Sequence, residues 1–92
     1  MNNILIVHTS WYEEHVLKMV NISSEILEKK YACHKAKAPG VIELAALAKN
    51  KIQHNKFVGI IFLGIVMRGQ TSHYDLITQE TFRSIGSLAE KY

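Results

Sequence analysis

The chain has 92 residues, a length that suits one domain with a real core. Hydrophobic residues make up 48% and charged residues 21%, the balance of an ordinary globular domain rather than of a disordered chain. The formal charge is +3, and seven of the nine lysines fall in two short groups near predicted element ends, with no basic stripe interleaved with aromatics, which argues against a nucleic-acid partner.

Residues 4–7, Ile-Leu-Ile-Val, are a β-branched run that reads as a buried parallel strand. Ser10 and Glu13 have capping-box spacing, which predicts a helix starting there with Glu13 and Glu14 in its first turn. Apolar residues at Val16, Val20, Ile26, Leu27 and Tyr31, with Leu17 and Met19 beside them, give that helix its stripe. It is expected to run to about Lys30, where lysines suit the negative pole of the dipole. Residues 31–38 mix charged and small side chains and read as an exposed edge strand, in which lysines discourage stray pairing. Pro39-Gly40 breaks the chain, and Leu44, Ala45, Leu47 and Ala48 then mark a second helix over 41–51.

The most informative stretch is 57–75, FVGIIFLGIVMRGQTSHYD. It begins as a nearly unbroken apolar run, the pattern of a central parallel strand covered on both faces. Gly64 and Gly69 then bracket a turn carrying Arg68, Gln70, Thr71 and Ser72, and His73 to Asp75 open a segment with helical spacing. A strand end leading into a helix start is where open α/β sheets bind ligands, because free N–H groups and the helix dipole favour an anion there. Leu76, Ile77, Ile85, Leu88 and Ala89 mark this third helix. The expected pattern is βαβαβα, a parallel α/β sheet with helices on both faces.

One cysteine, Cys33, excludes an internal disulfide and fits a reducing compartment. Residues 1–7 carry neither the basic region nor the apolar length of a signal peptide, and the run 58–67 is far too short to span a membrane, so a cytoplasmic protein is expected. His8, His15, His34 and His54 show no metal-ligand spacing.

Three segments together resemble the 6,7-dimethyl-8-ribityllumazine synthase family: ILIVHTSW at 4–11, PGVIELAALAK at 39–49 and GIVMRGQTSHYD at 64–75. The last is the most specific, since a strand followed by glycine, apolar residues, Arg-Gly, a polar triplet, histidine, an aromatic and aspartate is hard to meet by chance. The resemblance implies a three-layer, flavodoxin-like fold lacking the family's last strand and helices. It implies condensation of 5-amino-6-(D-ribitylamino)uracil with 3,4-dihydroxy-2-butanone 4-phosphate, releasing phosphate and water, with no metal or organic cofactor.

The resemblance also assigns residues. Trp11 would stack on the pyrimidine ring, Val41, Ile42 and Glu43 would meet the ribityl chain and uracil, and Ile65, Val66 and Met67 would hold the uracil through the backbone. Gln70 and Thr71 would contact the butanone phosphate, with Gln70 replacing a smaller residue common in the family, and His73 would move protons. The family assembles as a homopentamer, in some cases further into a shell. A neighbouring subunit there supplies an aromatic and a phosphate-binding arginine from segments that this chain does not carry, and neither Arg68 nor Arg83 matches that arginine. Two other readings stand beside this one: a non-catalytic ligand-binding or assembly remnant of the family, and an unrelated flavodoxin-like phosphate-binding module.

Overall fold

The structure is a computed structural model that describes residues 2–66 and 73–91, the side chains of 73–76 excepted. Three parallel strands, β1 (Asn2–Thr9), β2 (Tyr31–Ala38) and β3 (Gly59–Leu63), form the middle layer in the order β2-β1-β3. Helix α1 (Glu13–Leu27) joins β1 to β2. A 3-10 turn at Val41–Glu43 and helix α2 (Leu44–His54) join β2 to β3, and α3 (His73–Lys91) follows.

Strand alternation sorts the core into two layers, because successive side chains point to opposite faces. Leu5 and Val7 of β1, Ala36 and Ala38 of β2, and Ile60 and Phe62 of β3 meet Leu44, Ala45 and Ala48 of α2 and Ile85 and Leu88 of α3. Ile6, Cys33, Ile61 and Leu63 meet Val16 and Val20 of α1. The sheet is therefore covered by one helix on one face and two on the other, the three-layer α/β arrangement the sequence predicts.

The apolar run at 57–66 predicts the central strand, but the strand order gives that place to β1. β1 pairs on both edges and is buried from Ile4 to Thr9, whereas every residue of β3 is only half-buried. Among the described residues β3 pairs only with β1, so its outer edge lies open. β2 is the lysine-bearing edge strand that was expected.

The expected start of α1 is also different. Ser10 does not cap it: the Ser10 hydroxyl donates to the Pro39 carbonyl at 3.1 Å, and the Ser10 amide donates to the Ala38 carbonyl at 3.1 Å. Both bonds tie the end of β1 to the end of β2, which satisfies Ser10 across the sheet and leaves the helix to begin three residues later. Its cap position is Tyr12, in the left-handed region at φ 53°, ψ 45°, without a side-chain cap bond. A residue with a Cβ pays about 1–2 kcal/mol for that conformation, and asparagine tolerates it better. Tyr12→Asn is thus expected to raise stability by about 1 kcal/mol, read as a higher urea midpoint with an unchanged m-value.

α1 ends at Leu27, before Lys29 and Lys30, and its buried face is Val16, Val20 and Ser24, at i, i+4 and i+8. Ile26 is exposed instead of lying in the stripe, as is Leu17 beside it. Ser24 closes the row by donating its hydroxyl to Glu28 Oε1 at 2.7 Å. Cys33 is half-buried against the α1 layer, and desolvation, reinforced by the Glu28 charge, pushes its thiol above the ordinary range.

Candidate functional site

At the carboxyl end of the strands a cavity of about 310 Å³ opens, lined by residues from four parts of the chain. Thr9 closes β1, and Trp11 and Tyr12 follow it. Gly40, Val41, Ile42 and Glu43 form the turn after β2, Ile65 and Val66 follow β3, and Ile77 comes from α3. Parallel strands end on one side of the sheet, so the segments that leave them must converge there.

The backbone at this mouth is drawn together by glycine. A Cβ at Gly40 would lie 3.1 Å from Glu43 Oε2 and 4.0 Å from two atoms of the Trp11 indole, so the absence of one lets both groups sit close to this backbone. Gly64, directly after β3, has the same function on the floor: a Cβ there would come within 3.0 Å of both Thr9 Cγ2 and Val41 Cγ1. Across the mouth, Lys37 at the end of β2 donates to Glu13 Oε1 at 3.0 Å and links the first turn of α1 to the sheet.

Trp11 is 65% exposed, which separates it from the core and leaves an indole face for a flat ligand. Ile42 and Glu43 are also exposed, and Val41 is half-buried. The cavity therefore combines an aromatic plate, an apolar floor and one carboxylate. It suits a small planar molecule that carries hydrogen-bond donors better than a purely apolar one.

Six residues singled out from the sequence, Trp11, Val41, Ile42, Glu43, Ile65 and Val66, line this one cavity. Met67, Gln70 and Thr71 lie outside the described residues, as do Arg68 and Gly69. His73 is the first residue of α3, one helical turn before Ile77, and its side chain is outside the described set. Sequence reasoning passed over Thr9, Tyr12 and Ile77 as lining residues. Tyr12 could have been suspected from its place beside Trp11, whereas nothing in the sequence marks Thr9 or Ile77.

A larger cavity, about 660 Å³, opens at the other end of β3 between Phe57, Ile60 and Phe62 and the α3 residues Ile85 and Leu88. Its walls are mostly apolar and hold none of the residues gathered at the mouth, so volume alone does not make it the site. Among the described residues no group of three His, Cys, Asp or Glu side chains could hold a metal, and no helix is long and apolar enough to cross a membrane.

A parallel α/β sheet with a ligand-sized cavity at its carboxyl edge defines a flavodoxin-like binding domain. Within that class the assignment is specific. The family model for 6,7-dimethyl-8-ribityllumazine synthase matches residues 2–92, and the chain belongs to this family.

Proposed function

We propose that this chain acts as a lumazine synthase, joining 5-amino-6-(D-ribitylamino)uracil to 3,4-dihydroxy-2-butanone 4-phosphate with release of phosphate and water. The observation that carries the reading is the convergence of Trp11, Glu43, Ile65 and Val66 on one cavity in a chain of this family. Trp11 stacks on the pyrimidine, and Glu43 accepts hydrogen bonds from ribityl hydroxyls. Peptide groups at Val41, Ile42, Ile65, Val66 and Met67 hold the uracil edge, and Gln70 and Thr71 contact the butanone phosphate.

The chemistry in this reading is modest. An amine condenses with a ketone and water is lost, phosphate leaves, and a second nitrogen closes the ring with loss of a second water, each step with a proton transfer. His73 gives and takes those protons, and holding two reactants in contact supplies much of the remaining acceleration. No metal or organic cofactor is called upon, and the setting is the cytoplasm. The protein works as a homo-oligomer, a reading supported by the open outer edge of β3 and by Phe82, which is 74% exposed on α3.

Trp11 is the single tryptophan of the chain, so its fluorescence reports on the cavity alone. Titration with 6-(D-ribitylamino)uracil is expected to quench it, and mixing the two substrates is expected to produce the lumazine chromophore above the uncatalysed background. Absence of quenching would remove the pocket assignment, and quenching without turnover would leave a binding protein of the same family. Replacing Trp11 by alanine is expected to weaken ring binding about 5- to 150-fold by calorimetry, the range spanned by loss of one stacking partner.

A further inference from the structure

Among the described residues two buried side-chain hydroxyls have no hydrogen-bond partner, those of Thr9 and Thr81. Thr9 is 1% exposed and Thr81 7%. Leaving a buried hydroxyl unpaired is costly, and such groups are rare enough in folded proteins that each asks for a reason. The two differ in place. Thr81 lies on α3 and lines a neighbouring cavity with Phe62, Phe82 and Ile85, whereas Thr9 lines the cavity with Trp11 and Glu43.

Thr9 is third in the row Leu5, Val7, Thr9, whose two preceding members are plain core. Valine would fill the same volume there without an orphaned oxygen. Gly64 packs against this side chain, since a Cβ there would lie 3.0 Å from Thr9 Cγ2 and 3.4 Å from Thr9 Oγ1. Thr9 already lines the cavity, and a turn of its side chain by one staggered position about the Cα–Cβ bond redirects Oγ1.

We propose that Thr9 is a ligand-contacting residue, whose hydroxyl takes from the edge of a bound polar heterocycle the hydrogen bond it lacks in the free protein. The inference rests on the reading of this cavity as the ring site. Binding relieves a polar group that the fold leaves unpaired, so this contact favours a ring with a carbonyl or N–H at that edge over an apolar ring of the same shape.

The test compares the wild type with Thr9→Val, Thr9→Ser and Thr81→Val, using 6-(D-ribitylamino)uracil followed by Trp11 quenching and by calorimetry. Thr9→Val is expected to bind about tenfold more weakly while melting at a higher temperature without ligand, because the orphaned oxygen is gone. Thr9→Ser is expected to keep wild-type affinity. Thr81→Val is expected to melt higher with its affinity unchanged. A loss smaller than roughly threefold in Thr9→Val, below what one hydrogen bond contributes, overturns the proposal. So does an equal loss in Thr81→Val, or a lower melting temperature in Thr9→Val, which would mean that the hydroxyl is already paired within the fold. Failure of the wild type to quench at all strikes the ring-site reading itself and is thereby distinguished from failure of the Thr9 contact.

Discussion

Replacing His73 by alanine is expected to lower the rate of lumazine formation by about 10²- to 10⁴-fold, the usual contribution of a positioned general acid–base. The change is expected in kcat, with KM for the ribitylaminouracil nearly unchanged, because the groups proposed to hold the ring, Trp11, Glu43 and the 65–66 backbone, come from other segments. Some activity persists, since two reactants held in contact still condense with water as the proton carrier. The helix supports this placement: α3 opens at His73, one turn before Ile77, which lines the cavity. Steady-state kinetics with both substrates decide the matter. An unaltered kcat would assign the proton transfers to another group.

Gly64→Ala is expected to cost about 1–3 kcal/mol of stability, the usual penalty for forcing an extra methyl into a packed site. The new methyl would meet Thr9 Cγ2 and Val41 Cγ1, each at 3.0 Å. Both are methyl groups bonded directly to a Cβ, so neither swings aside as the end of a long flexible chain would. A domain of this size loses about 4–8 °C of Tm per kcal/mol, and calorimetric melting reads the effect directly. Thr9 and Val41 also line the cavity, so the displacement that accommodates the methyl is expected to weaken ring binding as well. The contrast with Gly40 is instructive. There the nearest atom is the end of the Glu43 side chain at 3.1 Å, which can swing aside, and φ of −155° is extended backbone open to any residue. A melting temperature for Gly64→Ala equal to the wild type would mean that the floor is looser than its geometry implies.

Much of the architecture could be read from local pattern. The β-branched run at 4–7, the lysine-bearing segment 31–38, the break at Pro39-Gly40 and the apolar spacing of 76–89 each named their element, and each element formed. Three motifs were enough to indicate the family and to collect six residues that share a cavity. Local pattern was less informative wherever a residue had two ways to be satisfied. Ser10 could cap a helix or bridge strands, and it bridges to Pro39. Ile26 fits the helical stripe by spacing, yet α1 buries Val16, Val20 and Ser24, with Met19 and Leu27 packed beside them, and leaves Ile26 exposed.

The amino-acid sequence by itself determined the class of fold and the family, because these depend on residue types at short spacing. Only the tertiary structure decided that β1, not β3, is the central strand, since strand order is a matter of which edges pair and leaves no mark on an apolar run. It also decided that Tyr12 takes a left-handed backbone and that the Thr9 hydroxyl is buried without a hydrogen-bond partner among the described residues. Both belong to the surroundings of a residue, and those surroundings exist only once distant segments have met.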